Sequence, residues 1–424
     1  MSDEVSSAGA EHLVGKSAAS VSPQRVIGPV DVGPIAHGGH CIARHEGRVI
    51  FVRHSLPGEQ VMVRLTDTSH GRYWRGDAVE ILEAAPGRIT PPCAIAGSCG
   101  GCDFQHVELG VQRELKTAVV RELMHHFAHL DTDVEVQPAP DERDGQSWRT
   151  RMRYGVVDGH AALHKHRSSE LVPLAPAGCL IAEDAGRSPA MLDELAGRLQ
   201  PESGRRDAGG ARSDELVVAT SMPQDTSTQQ VNVMAGHQVL VGSAQVSEQV
   251  AGNSFQVRAD GFWQPHRKAP QILTSEVLEV LRPVHGDRAL DLYCGVGVFA
   301  AALADTGARV TGIELDGPAI RLARGNVPQA RFIAGRVDRV LAKNNGDIDL
   351  VVLDPPRVGA GKQAVARIAR LAPRSIAYVA CDPAALARDI AFFAKHDYRV
   401  TSLKAFDLFP MTHHVECVAG LERV

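Results

Sequence analysis

The chain is poor in aromatic residues, with 11 Phe, 5 Tyr and 3 Trp among 424. Those that cluster therefore carry more information than usual. No apolar run reaches the roughly 18 residues that a membrane helix needs. The opening MSDEVSSAGAEH lacks a basic stretch followed by an apolar one. Neither export nor membrane attachment is expected, and a cytoplasmic location is. An excess of one charge sign is also missing: 45 Lys and Arg stand against 50 Asp and Glu, a net charge of -5. Wholesale electrostatic binding to nucleic acid is not expected, although a local basic patch remains open. No internal repeat is present. Cysteines are few but grouped, at positions 41, 93, 99, 102, 179, 294, 381 and 417. In a long chain without export features, grouped cysteines suggest metal or catalysis before disulfides.

What is there divides the chain into two to three domains by length. Residues 1–23, rich in Ser, Ala and Gly without apolar periodicity, read as a disordered tail. From 24 to 85, short β-rich runs are separated by glycine. VIF at 49–51 and VMVRL at 61–65 alternate, with a PGE turn signal at 57–59 between them. Strands at this spacing suggest a small closed barrel. Residues 86–106 form a Pro/Gly/Cys connector, and Leu109–Leu130 has helical spacing. A mixed α/β central region, 107–250, contains a polar Gly-rich insertion at 201–215. From 251 to 424, strands alternate with helices and two consecutive β-rich runs end the chain, which predicts a doubly wound, mainly parallel sheet.

DLYCGVGVF at 291–299 sits where a strand feeds a helix, and Gly295 and Gly297 allow close approach of a ligand. Glu314 ends the next strand, placed to accept from ribose hydroxyls. Two glycines without a third on the phosphate side suit S-adenosylmethionine better than a dinucleotide. Asp354-Pro-Pro-Arg357 ends the fourth strand. Arg357 stands where enzymes methylating exocyclic amines tend to carry an aromatic, which argues against that chemistry. Cys381, in ACDP, follows the apolar run IAYVA, and Glu416, in THHVE, opens the last strand. If that strand is antiparallel, Cys381, Asp354, Glu314 and Glu416 converge on one sheet edge as nucleophile, carboxylates and nucleoside site. Cys93-x5-Cys99-Gly-Gly-Cys102, with the distant Cys179, fits zinc or an iron–sulfur cluster. The absence of a second C-x2-C pair tilts the choice toward iron–sulfur. WRTRMRY at 148–154 reads as a strand with Arg149, Arg151 and Arg153 on one face. That face either contacts phosphate or is simply solvated.

Together, DLYCGVGVF, DPPR, ACDPAALARD, THHVE and the C-x5-C-G-G-C group resemble the RNA 5-methyluridine methyltransferases. The match, from roughly residue 24 to 424, is closest to the branch with an N-terminal TRAM domain and a 4Fe-4S cluster, like the 23S rRNA uracil-5-methyltransferases. The resemblance implies an OB-like TRAM barrel at 24–85 and a Rossmann-like S-adenosylmethionine-dependent domain at 251–424. It implies Cys381 as nucleophile and Glu416 as proton acceptor. Gln264, Tyr293, Glu314 and Asp354 would bind S-adenosylmethionine, and Cys93, Cys99, Cys102 and Cys179 would hold the cluster. RNA, ribosomal in preference to transfer, would be the partner, and no protein partner is implied. Val298 and Arg336 depart from the family pattern around the cofactor, as does Pro-His-Arg after Gln264. Two rival functions are 5-methylcytosine formation in RNA and a non-catalytic iron–sulfur RNA-binding protein.

Overall fold

The computed structural model describes residues 25–140, 142–199, 215–221, 229–343 and 346–424. The expected tail at 1–23 and all but the last residue of the 201–215 insertion lie outside the described residues.

Five strands close into a barrel: β1 (Val26–Ala36), β2 (His40–His45), β3 (Arg48–Arg53), β4 (Gln60–Asp67) and β5 (Tyr73–Glu83). In β4 Val61, Val63 and Leu65 are buried and alternate with outward residues, the period-2 pattern of a one-sided strand. The strand order is β1-β2-β3-β5-β4, so the PGE turn does not join neighbours; β5 inserts parallel to β3. Glu59 of that turn is buried, accepts from the Leu56 N–H at 2.8 Å and pairs with Arg88 (Nη2–Oε2 2.7 Å), fastening the connector to the barrel.

Helix α1 (Leu109–Leu123) stops earlier than expected and runs into a π turn over Met124–Ala128, closed by His129 at φ 52°. The short strand β6 (Val136–Pro138) follows. A six-stranded antiparallel sheet comprises β7 (Arg151–Val157), β8 (His160–His164), β9 (Leu171–Pro173), β10 (Glu215–Ser221), β11 (Gln230–Ala235) and β12 (Gln238–Val241). Helix α2 (Pro189–Gly197) packs on β8, and a separate hairpin is formed by β13 (Gln245–Val250) and β14 (Asn253–Arg258).

The C-terminal part alternates: α3 (Ala269–Leu281), β15 (Arg288–Leu292), α4 (Val298–Asp305), β16 (Arg309–Glu314), α5 (Gly317–Asn326), β17 (Arg331–Ala334), α6 (Val337–Leu341), β18 (Leu350–Leu353), α7 (Gly361–Arg370), β19 (Ser375–Ala380) and α8 (Pro383–Ala394). Strands β20 (Tyr398–Asp407) and β21 (Glu416–Arg423) complete it. The sheet order is β17-β16-β15-β18-β19-β21-β20-β6, with β15 to β19 parallel and β21 antiparallel between β19 and β20. Strands β18 and β19 are buried throughout, because helices cover both faces of a parallel sheet. Although α1 and β6 precede the antiparallel sheet in the chain, β6 extends the C-terminal sheet by pairing parallel to β20. The buried Lys116 of α1 binds Asp407 at the end of β20 (2.6 Å). The helix expected inside the central region thus belongs, spatially, to the C-terminal sheet.

Candidate active site

The parallel strands end at one cleft of about 1350 Å³. Its construction follows from the backbone. After β15, Tyr293 adopts φ 63° and Gly295 and Gly297 φ 52° and 95°, so the chain reverses sharply into α4. A Cβ at Gly297 would stand 3.2 Å from Val327 Cγ2, and its conformation also disfavours any side chain. The buried Asp291 accepts from the Ala300 N–H at 2.9 Å and ties strand to helix across the turn. Burial, with Asp354 and Glu314 nearby, raises its carboxyl well above the usual range. Glu314 accepts from the Gly295 N–H at 3.2 Å and the Asp316 N–H at 2.8 Å, so its carboxylate is aimed by two backbone donors. Val298 packs on the core rather than offering a polar group, and Arg336 reaches Asp338 (3.1 and 3.2 Å), both on the cleft wall.

Asp354 receives the Gln264 side-chain amide at 3.0 Å. It keeps some surface toward the cleft although protein rings it, and burial, opposed by the Gln264 bond, raises its pKa to about 7. Cys381 lies one residue past β19, immediately before Asp382, the cap of α8, which accepts from the Ala385 N–H at 2.9 Å. Pro383 occupies the first helical position, where its missing N–H costs nothing. This is the physical sense of Cys-Asp-Pro: the thiol is set before a capped helix N-terminus, whose dipole favours a thiolate. Burial and then Glu416 and Asp354 push the thiol up to about 12, and Arg357 opposes them.

Strand β21 is antiparallel, as the convergence requires, and Ala380 pairs with Cys417. Cys381 and Glu416 consequently leave adjacent strands at the same edge, and both line the cleft with Gln264, Tyr293, Glu314 and Asp354. Glu416 is buried, and burial followed by the Asp354 charge holds its carboxyl well above the usual range. Three residues that the sequence did not single out as apolar walls, Phe262, Leu315 and Val358, are 74%, 66% and 76% exposed and line the same cleft. Exposed apolar surface at one cleft marks a ligand surface. The signal was available for Phe262, inside the motif FWQ.

The four cysteines are not among the cleft-lining residues, although their neighbours Gly100, Gly101 and Asp103 are. Cys93, Cys99 and Cys102 sit on turns of the connector, and Cys179 is buried against the antiparallel sheet. None forms a disulfide. Electrostatic interactions join Cys93 to Cys99, Cys99 to Cys102 and Cys179, and Cys102 to Cys179. The donor chemistry suits a soft metal centre, yet among the described residues no three His, Cys, Asp or Glu side chains are set to hold an ion. Gly100 and Gly101, between these cysteines, line the cleft, and Gly100 N–H donates to His164 O at 2.9 Å.

The expected three-arginine face is not preserved. The strand starts at Arg151, whose guanidinium binds Glu248 (2.7 Å) and Thr220 O (3.0 Å). Arg149 turns into the cleft wall, where its charge interacts with Cys179, Cys102 and Arg357. Only Arg153 remains largely exposed. The local basic stripe is spent on internal contacts made far along the chain.

A glycine turn, an acidic residue ending the next strand and reactive side chains past the following strands define an S-adenosylmethionine-dependent methyltransferase on a doubly wound sheet. A profile described as TRAM domain matches residues 27–79, one described as methyltransferase domain matches 289–373, and one described as tRNA (Uracil-5-)-methyltransferase matches 336–424. A Streptomyces avermitilis protein described as an uncharacterized RNA methyltransferase is 44% identical, over 93% of this chain and 97% of its own. The Shewanella halifaxensis 23S rRNA (uracil(1939)-C(5))-methyltransferase RlmD is 28% identical, over 92% of this chain and 94% of its own. The Pyrococcus abyssi tRNA (uracil-54, C5)-methyltransferase, solved with S-adenosyl-L-homocysteine, shares the fold with a TM-score of 0.70. It is 23% identical and covers 93% of this chain and 99% of its own. The chain belongs to the TRAM-containing RNA uracil-5 methyltransferase family. No helix among the described residues is long and apolar enough to cross a membrane.

Proposed function

We propose that the protein methylates carbon 5 of a uridine in ribosomal RNA through a covalent adduct on Cys381. The observation that carries this reading is the pairing of Ala380 with Cys417, which brings Cys381 and Glu416 to one cleft. Carbon 5 of uracil is a poor nucleophile unaided. Addition of the Cys381 thiolate to carbon 6 makes an enolate, and carbon 5 can then take a methyl group. S-adenosylmethionine supplies that methyl as an electrophilic carbon on sulfonium. Gln264, Tyr293, Glu314 and Asp354 are its proposed binding residues; Glu314 faces the ribose and Asp354 the cationic end. Glu416 then removes the carbon-5 proton, and the electron pair left behind re-forms the double bond as the Cys381 thiolate departs. Burial raises the proton affinity of Glu416, which makes its carboxylate form a stronger base for that last task. The target uridine must be unstacked to reach the cleft, which favours single-stranded or loop RNA.

We assign the cysteine set Cys93, Cys99, Cys102 and Cys179 as the holder of a 4Fe-4S cluster, supported by four free thiols that neighbour one another beside the cleft. It would staple the connector to the antiparallel sheet, and no electron is needed in methyl transfer. The ribosomal substrate is supported by the likeness to the 23S enzyme along nearly the whole chain. RNA containing 5-fluorouridine tests the mechanism, because fluorine cannot leave as a proton and the adduct persists through denaturation. Wild-type protein should form it and Cys381→Ala should not; full methylation by Cys381→Ala refutes the covalent route. Mapping 5-methyluridine in ribosomal and transfer RNA, with and without the gene, identifies the substrate.

A further inference from the structure

The segment leading into Glu416 is gripped from outside the catalytic sheet. Asp103 follows the Cys-Gly-Gly-Cys turn of the connector. Its Oδ2 accepts from the His413 backbone N–H at 3.1 Å and lies 2.6 Å from His413 Nδ1. The backbone N–H groups of Asp103 and Phe104 both donate to the Met411 carbonyl at 2.9 Å. Met411, held at φ 67°, donates its own N–H to Gln112 of α1 at 2.9 Å. The His413 and His414 rings are 4.1 Å apart between centroids. Beyond them, Arg357 Nη2 donates to His414 Nε2 at 3.2 Å. Asp103, both histidines and Arg357 line the cleft that holds Cys381.

We propose that Asp103 is a positioning residue for the nucleophile: acting through His413 and His414, it holds the guanidinium of Arg357 on the Cys381 side of the cleft. This rests on the covalent reading above. The charged groups that face Cys381 are the carboxyl groups of Glu416, Asp354 and Asp382 and the guanidinium of Arg357. The three carboxyl groups disfavour a thiolate, and Arg357 is the group in that set that favours it. Its side chain is otherwise exposed and rotamer-rich, so its value to the thiol depends on what holds it. Burial keeps His414 neutral by lowering its pKa to about 3, which leaves Nε2 an acceptor for the guanidinium. His413, fixed by two bonds to one carboxylate, sets where His414 stands. The nearest catalytic group, Glu416, is two residues beyond.

Alkylation of Cys381 by iodoacetamide, followed by peptide mass spectrometry at fixed pH, reads the thiolate fraction without requiring turnover. In Asp103→Ala that rate should fall about fivefold and kcat about tenfold. KM for S-adenosylmethionine should stay within about twofold, since the nucleoside end of the cleft is untouched. Asp103→Glu should recover part of the rate. Should Asp103→Ala fail to fold, Asp103→Asn keeps one acceptor, and His414→Ala cuts the chain at its other end; slower Cys381 alkylation is expected in both. Unchanged alkylation and kcat in a folded variant overturn the proposal. Wild-type protein that forms no adduct with 5-fluorouridine RNA instead refutes the covalent reading itself. A wild-type adduct with Asp103→Ala unaltered removes only the positioning role.

Discussion

The proposed catalytic edge and the cysteine connector meet at one cleft, where Asp103 holds His413, and both carry sulfur, yet they are built on different principles. At the proposed catalytic edge five of the site side chains stand at strand ends: Tyr293 after β15, Glu314 closing β16, Asp354 after β18, Cys381 after β19 and Glu416 opening β21. Sheet register fixes their spacing, and the strands beneath are buried on both faces. The connector has local turns, such as Cys99 N–H to Ile95 O at 3.0 Å, an isolated bridge of Cys99 with Lys165, and a few anchors to distant groups. A ladder sets geometry before any ligand arrives. The metal centre proposed there would set the final arrangement of the connector thiols as it binds, which is how structural metal sites couple to folding.

The largest expected effect breaks the catalytic side of this contrast. Glu416→Gln should permit thiol addition and methyl transfer but stall release, lowering kcat by about 10²- to 10⁴-fold. A denaturation-resistant protein–RNA adduct should then build up on unmodified RNA. Turnover at the wild-type rate would move the base elsewhere, for example to Asp382 or water. Fold and register should be unaffected, because the ladder does not depend on this carboxylate.

The connector should respond in the opposite way. Protein purified without oxygen is expected to be brown, with about four iron and four sulfide per chain, and Cys99→Ser should lose iron and melt at lower temperature. Colourless protein with about one zinc would support a tetrahedral thiolate site in its place. A Cys99→Ser variant that kept its metal and its RNA affinity would remove this thiol from the ligand set.

That division also governs what could be read in the sequence. Continuous apolar runs such as LVVL and SIAYVA announce buried parallel strands, and residues just beyond them announce the crevice. Cys381, Asp354 and Glu314 could be placed together on that basis, and Glu416 joined them on the condition that the last strand is antiparallel, as it is. The closed barrel was legible as a class, but the parallel pairing of β3 with β5 was not, since strand alternation says nothing about partners. Arg151 looked available because Glu248, 97 residues away, leaves no local trace. The three-residue β6 is too short for periodicity, and Asp103 meets His413 across 310 residues. Contacts between sequence-distant side chains are the part that pattern reading misses.

A smaller effect should appear as pH dependence on the catalytic side alone. Burial places the Asp354 pKa at about 7, so protonation below that value removes the carboxylate proposed to face the cationic end of S-adenosylmethionine. Affinity measured by calorimetry should therefore rise as pH increases through about 7. Asp354→Asn should flatten the dependence. Gln264→Leu, which deletes the bond that lowers this pKa, should shift the midpoint upward. A midpoint near the ordinary carboxylate range in wild-type protein would contradict the burial argument.

The smallest effect belongs where the barrel touches the proposed catalytic edge. His37, just beyond β1 of the barrel, lies 3.3 Å from Asp382 with partial exposure on both sides. Solvent screens such a pair, so His37→Ala should cost no more than about 1 kcal/mol. Asp382 would still accept from the Ala385 N–H and cap α8. Asp382→Ala loses both contacts, and a lost cap adds about 1 kcal/mol while loosening the backbone that carries Cys381. Denaturant unfolding and kcat measured together separate these roles. His37→Ala should leave kcat within about twofold, because the ladder and the helix cap already fix the thiol. A kcat loss as large in His37→Ala as in Asp382→Ala would mean that the barrel, and not the sheet, sets the position of the nucleophile.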